Sequence, residues 1–357
     1  MTAGKPVIDT AVYFDQRSVW AGEPFRTEST KKREECTGKL LEQQCDFDFV
    51  DDDALAKAEI RDGKLVVGKM SYSALVIPSD DFMTPEARTV VGKFVSAAPV
   101  PLLHCEPAAP RLRVSRRRVG KSTFYFCVNE SREPLTVKLT FDQGPVVFRD
   151  LWGSGDYSAG DTSCVWHFAP CGSALFITGG RAVKRRLPEI NWEDTAELKW
   201  KLKALKRHSV GQEDFLIRSC TGKAEKTELG SWDRRLGGDF SGDALYSCTF
   251  KTERKKLWID LGEVRYCASV KINSVPVGTL FRSPFRCDLT PGLKKGLNRL
   301  EITVSNTLAN ALAAPGVKEH LVNDCPPCSP YEGEQRLFEE DSLSGGLFGP
   351  VRFGSEI

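Results

Sequence analysis

From Val7 to about His104, short apolar runs alternate with stretches of helical period. Val7 to Phe14 reads as an apolar strand, Lys31 to Cys45 as a polar helix burying Leu40 and Leu41, and Asp46-Phe-Asp-Phe-Val50 as a second strand. Asp51 to Asp53 then cap a short helix around Asp52 to Ala58, where acids favour the N-terminal dipole. Ala74-Leu-Val-Ile77 is a buried strand stopped by Pro78. Thr84-Pro85-Glu86 opens a helix with an N-cap hydroxyl, a proline at the first helical position and an acid in the first turn. Val90, Val91, Phe94 and Val95 form its buried side, and Leu102-Leu-His104 is the next expected strand. Strands alternating with helices predict a parallel sheet, here a flavodoxin-like α/β domain over 1–108.

After Pro107 to Pro110 the period becomes two. Leu112 to Arg118, Thr123 to Val128, Leu135 to Phe141, Val146 to Leu151, Val165 to Phe168 and Ser173 to Ile177 read as short strands, joined by turns such as Asn129-Glu-Ser-Arg-Glu-Pro and Asp142-Gln-Gly-Pro. Such spacing predicts a small antiparallel β-sandwich over 109–180. Gly179 to Pro188 has no apolar period and is rich in charge and glycine, so 181–190 reads as a linker. The remainder, 191–357, is again nearly all strand. Trp200, Leu202 and Ala204 alternate with Lys199, Lys201 and Lys203, which makes one face wet. Asn273-Ser274 sits where a two-residue hairpin turn is expected, and Trp258, inside an alternating strand, reads as core.

Composition narrows the class. The 357 residues are 41% hydrophobic and 27% charged, enough for two or three cores in a soluble, multidomain chain, and the net charge of +2 gives no reason to expect nucleic acid or an acidic membrane surface. Arg116-Arg-Arg118 and Lys184-Arg-Arg186 read as solvated strand end and linker. No apolar stretch approaches the roughly 20 residues that span a bilayer, and the start lacks a signal-peptide pattern, so a cytoplasmic location is expected unless a true N-terminus is missing.

Twelve cysteines mostly stand alone in apolar strands, as Cys127 and Cys248 do, and read as buried free thiols. Cys325-Pro-Pro-Cys328, with His320 upstream, has redox or metal spacing, but it lies in a proline-rich loop without a second ligand pair. The first reading is a loop coincidence with no metal site; a metal or redox role stays open.

Candidate chemistry is thin. Acid–base hydrolysis needs a pair of carboxyl groups held close together in a cleft. Asp80 and Asp81 sit at the end of a parallel strand, the edge where open α/β sheets bind ligands, yet a solvated loop accounts for them, as a solvated face does for Glu339 to Asp341. None of the four histidines, His104, His167, His208 and His320, falls in a nucleophile-elbow sequence. Gly153-Ser-Gly155 lacks the flanking strand and helix of such an elbow. Gly120-Lys121-Ser122 lacks the rest of a phosphate loop and reads as a hairpin turn. No catalytic residue is assigned. Trp232 with Asp233, and Tyr331 in Ser329-Pro-Tyr-Glu-Gly, lie in expected loops and are the candidate ligand-binding residues, since the apolar faces of ligands stack on aromatic rings.

Several separated phrases carry a resemblance. Phe240-Ser-Gly-Asp-Ala-Leu-Tyr246, Leu257 to Val264, Asn298-Arg-Leu-Glu-Ile-Thr-Val304 and Ser344-Gly-Gly-Leu-Phe-Gly-Pro-Val351 are similar to a galactose-binding-like β jelly roll. Asp46 to Val50, Asp62-Gly-Lys-Leu65, Tyr72 to Pro78 and Phe124-Tyr-Phe-Cys-Val-Asn-Glu-Ser131 precede them in an order that resembles the C-terminal, post-barrel region of the α-L-rhamnosidases of glycoside hydrolase family 106. The resemblance implies a parent enzyme that hydrolyses α-L-rhamnosides with inversion, using carboxylates and a calcium site in a preceding barrel. Such a barrel takes about 250 residues, and none precede Met1 here. The segment at Ala97-Ala-Pro-Val100 is shortened against the family, and Asn273-Ser274 replaces its usual asparagine-glycine pair. The expectation is therefore a non-catalytic portion without cofactor, bracing a missing barrel and binding glycan. It would be a truncated product, a fragment, or the partner of a separately encoded barrel. A stand-alone carbohydrate-binding module and a small complete glycosidase using Asp80 or Asp81 remain alternatives.

Overall fold

The protein is described from a computed structural model, over residues 3–151, 155–195, 198–210, 215–314, 317 and 343–357. It is multidomain and mostly β, and divides into two compact units, Met1–Leu187 and Pro188–Ile357. The division falls inside the segment 181–190.

In the first unit, Thr10–Tyr13 is the central strand of a parallel sheet, flanked by Phe47–Val50 and Ala74–Val76. All four of its residues are buried, because its alternate side chains serve two cores. Ala11 and Tyr13 pack with Leu55, Leu75 and Ala87, whereas Val12 packs with Leu40 and Cys45 beside the helix Phe25–Glu42. The helix Pro85–Val91 begins as its sequence predicts, with the Thr84 hydroxyl accepting the Ala87 N–H at 3.3 Å. Its apolar side is shorter than expected: Phe94 stays in the core beyond the helix end, and Val95 is 88% exposed. The sequence reading did not foresee an antiparallel meander, Glu59–Arg61, Lys64–Val67 and Met70–Tyr72. Its first turn, Asp62-Gly63, has φ of 50° and 74°, the left-handed pair that a two-residue hairpin requires.

The expected strand Leu102 to His104 is a correction. Strand pairing begins at His104, and His104–Glu106 joins Leu135–Thr140 antiparallel instead of extending the parallel sheet. Leu102 and Leu103 are buried in the sandwich core. That sandwich has a six-stranded sheet, in the order Lys5–Pro6, Leu112–Val119, Ser122–Asn129, Ser173–Thr178, Val146–Asp150, Gly155–Gly160, and a three-stranded sheet of Ser163–Phe168, Leu135–Thr140 and His104–Glu106. Tyr125, Cys127 and Phe176 from the first meet Val137, Leu139 and Cys164 from the second. Gly155–Gly160 escaped the sequence reading because only Tyr157 in it is buried. Gly120 and Lys121 form a hairpin turn as expected, with Gly120 at φ 59°. Arg116 departs from the solvated reading: its side chain is 11% exposed and bridges Asp142 at 2.7 Å and Asp9 at 3.4 Å.

The second unit has a sheet running Phe215–Ser219, Trp200–Val210, Ser241–Thr252, Gly296–Ser305, Cys267–Ile272, Val275–Leu280, with Glu225–Thr227 also paired to Trp200–Val210. A four-stranded sheet orders Ile190–Asp194, Arg352–Glu356, Trp258–Asp260 and Arg286–Asp288, and a three-stranded one Gly230–Ser231, Gly346–Gly349 and Glu263–Arg265. Tyr246, Val270 and Ile302 of the first share one core with Ile259 and Cys287 of the second and with Val264 and Leu347 of the third. Trp200 and Leu202 are buried while Lys201 is exposed, so the lysine-rich strand has its predicted wet face. Asn273 and Ser274 take φ of 49° and 70°, so the turn forms without the glycine. Trp258 is a correction. Leu257, Ile259 and Leu261 take the inward positions at period two, which turns Trp258 to the outer face, only partly buried.

Candidate functional site

Of the ligand-binding candidates from the sequence, Trp232 and Asp233 are among the described residues and Tyr331 is not. Trp232 precedes the one-turn helix Asp233–Leu236 and is 1% exposed, its ring edge-to-face with Phe240 at 5.3 Å. Its faces are used by packing. Trp232 Nε1 and Asp233 Oδ1 are both buried without a hydrogen-bond partner among the described residues. Tyr331, Cys325, Cys328, His320 and Glu339 to Asp341 lie outside the described residues, as does part of Gly153-Ser-Gly155.

Asp80 and Asp81 do lie beyond the C-terminal end of the parallel strand Ala74–Val76, each drawn to a cation. Arg88 Nη1 is 2.6 Å from Asp80, and Asp81 accepts the Ser79 hydroxyl at 2.7 Å with Lys32 Nζ at 3.6 Å. The Ser79 hydrogen bond and then the Lys32 charge hold the Asp81 carboxyl below its usual range. That favours the carboxylate, the wrong form for protonating a leaving group. Asp51 is a helix cap, its Oδ1 accepting from Ala54 N at 2.8 Å. Asp52 accepts from Tyr13 Oη at 3.1 Å and Thr84 N at 2.8 Å.

Asp46 is different: burial raises its carboxyl pKa, with the Phe47 N–H opposing and the Asp48 charge adding. A raised carboxyl is the mark of a general acid, but Asp46 sits at the N-terminal end of Phe47–Val50, away from the ligand edge of a parallel sheet. Its effect is on stability. A raised folded-state pKa favours the protonated form, so the stabilisation is complete below the unfolded pKa and is lost as pH rises through the folded one. Asp46→Asn, which cannot ionise, is expected to be more stable than the native chain at about pH 7, with the gap in urea midpoint closing towards about pH 4.

The buried thiols are poor nucleophiles. Burial pushes the thiols of Cys164, Cys248 and Cys287 up to about 12, which suppresses the thiolate. His167 Nδ1 is spent on the Thr136 hydroxyl at 2.7 Å, and the His208 ring lies edge-on to Phe215.

A concave site that sequence reading missed lies in the second unit, a cleft of about 700 Å³ at the outer edge of the seven-stranded sheet. Its lining comes from three segments: the chain entering Trp200–Val210, the strand Glu225–Thr227 with the residues after it, and Pro350-Val351. Leu198, Leu229 and Val351 give an apolar floor beside Trp200, whose ring is fixed edge-on to Tyr246. The Thr195 hydroxyl donates to the Val351 carbonyl and ties two walls together. Gly349 has φ 77°, and a Cβ there would stand 3.0 Å from Leu229 Cδ1, so glycine lets the floor close. No sequence motif marks these residues, because they are far apart in the chain.

No protein-family model matches the chain. Over 142 residues it is 36% identical to a putative β-glucuronidase of Formosa agariphila, covering 32% of this chain and 12% of that protein. Its fold aligns with a rhamnosidase from Novosphingobium sp. PP1Y at a TM-score of 0.59 and 18% identity, over 98% of this chain and 39% of the rhamnosidase. The chain is thus similar to glycoside hydrolases in part of its sequence and in its fold. It spans about two fifths of the rhamnosidase. A GH2 β-galacturonidase from Eisenbergiella tayi bound to galacturonate aligns over 46% of this chain and 24% of its own, at TM-score 0.28 and 18% identity.

Proposed function

We propose that this chain is the non-catalytic C-terminal portion of an α-L-rhamnosidase-like glycoside hydrolase, where it braces a catalytic barrel carried on other residues and contributes to glycan binding. The observation that carries the reading is the lopsided alignment, 98% of this chain against 39% of a rhamnosidase. The chemistry of the described residues supports it. An inverting glycosidase sets a protonated carboxylic acid and a carboxylate about 6.5–9.5 Å apart across the bond. Asp80 and Asp81 are instead both drawn to cations, and the raised Asp46 lies at the opposite edge. The parent reaction, protonation of the leaving oxygen by one barrel carboxyl while a second activates water, then lies outside this chain. The purified chain is expected to release no phenol from an aryl α-L-rhamnoside above the uncatalysed rate. Release that scales with protein concentration and falls in Asp81→Asn would replace this reading with a small complete glycosidase.

The cleft in the second unit favours a second reading, a carbohydrate-binding module that acts on its own. Saturable glycan binding by the chain in the absence of any barrel partner supports it.

A further inference from the structure

We propose that the cleft beside Trp200–Val210 and Glu225–Thr227 binds a neutral pyranose ring, and that it selects against uronic acids. The choice of sugar as the ligand class rests on the glycosidase-related reading; the choice of a neutral one rests on the cleft. Asp194, Lys199, Lys226 and Glu228 stand at its rim, two carboxylates and two ammonium groups, all exposed. Among the described residues none of the four is engaged in an ion pair, so their acceptors and donors are available. Carboxylates accept from hydroxyls and ammonium groups donate to them, the two complementary halves of a polyol's hydrogen bonding. Among the described residues their charges cancel, so the rim has no net positive charge to offset the desolvation of a sugar carboxylate, and a neutral ring, which carries no such cost, is favoured.

The rest of the cleft fits the same ligand. The strand Glu225–Thr227 is paired along one edge only among the described residues, and its outer edge leaves backbone N–H and C=O groups for ring hydroxyls. The floor of Leu198, Leu229 and Val351 suits the apolar face of a pyranose, and the volume of about 700 Å³ lies within the 300–1,000 Å³ typical of small-molecule sites. The floor is anchored by Trp200 at 6% exposure and Val351 at 4%, so the site is largely preformed and binding does not have to order it.

The test is titration of the purified chain with L-rhamnose, D-glucose and D-glucuronate, followed by calorimetry and ligand-observed saturation-transfer NMR. At least one neutral sugar is expected to saturate with a Kd on the order of 1 mM, with glucuronate about tenfold weaker or absent. Glu228→Ala and Asp194→Ala, both exposed and so expected to fold, should each weaken neutral-sugar binding about fivefold, and Leu229→Trp should fill the floor and abolish it. Asp53→Ala, in the other unit, should change nothing. Glucuronate binding as tightly as the neutral sugars, no saturation by any of them, or neutral-sugar binding indifferent to the three cleft variants would each overturn the proposal. Hydrolysis in the aryl rhamnoside assay would defeat the non-catalytic reading and leave this one standing.

Discussion

Replacing Asp260 with alanine is expected to cost the C-terminal unit about 3 kcal/mol, the low end of the 3–5 kcal/mol that follows when one partner of a buried ion pair is removed. The carboxylate is 3% exposed. Its Oδ2 accepts from Arg286 Nε and Arg352 Nη2, both at 2.9 Å, and its Oδ1 accepts the Gly262 N–H at 2.9 Å. One side chain thus joins Trp258–Asp260 to Arg286–Asp288 and Arg352–Glu356, its neighbours in the four-stranded sheet. The guanidinium carbons of Arg286 and Arg352 also lie 4.8 and 6.0 Å from the Trp192 ring centre. Without the carboxylate, two cations share one corner. Their side chains are 40% and 34% exposed, so water relieves part of the loss, which is why the low end is expected. Asp260→Asn keeps an acceptor for Gly262 and loses the charge, so it should fall between the two. Urea unfolding of the isolated variants, read by tryptophan fluorescence, checks the order. An Asp260→Ala midpoint equal to the native one would show that this corner holds nothing together.

The local rules that were legible in the sequence are those in which one residue dictates its own surroundings. Thr84-Pro85-Glu86 opens a helix because the hydroxyl, the fixed φ and the acid each suit a helix start, and nothing elsewhere in the chain is needed. The lysine strand from Lys199 announces its wet face by alternation alone. The failures share the opposite cause. Leu102-Leu-His104 has the composition of another parallel strand, but which sheet receives it depends on residues 138–140, and the antiparallel partner wins. Trp258 sits in a strand whose inward parity is set by Leu257, Ile259 and Leu261, so strand membership alone misplaced it. The cleft was invisible for the same reason: its floor joins Leu198, Leu229 and Val351, which only the fold brings together. Resemblance reached further than periodicity, since the phrases from Phe240 to Val351 pointed to glycosidases, to which the chain is similar in part of its sequence and in fold.

Trp232→Ala is expected to destabilise the second unit by about 3–5 kcal/mol, the usual cost of deleting a large aromatic from a packed core. The ring is 1% exposed, meets Phe240 at 5.3 Å, and is approached so closely by Gly345 that a Cβ there would lie 2.5 Å from Trp232 Nε1. Gly345→Ala should therefore destabilise in the same direction, through the same ring. Trp232→Phe separates the two properties of the side chain. It keeps an aromatic body and removes an indole N–H that has no partner among the described residues, a group whose burial costs about 1–3 kcal/mol, so its penalty should be clearly smaller than that of alanine. The pattern also decides between packing and ligand binding. A packing residue predicts large losses in urea midpoint with unchanged sugar affinity in whatever remains folded. A binding residue predicts the reverse: a midpoint close to native and lost affinity for a neutral sugar in Trp232→Ala, a result that would return the ligand site to Trp232 and Asp233.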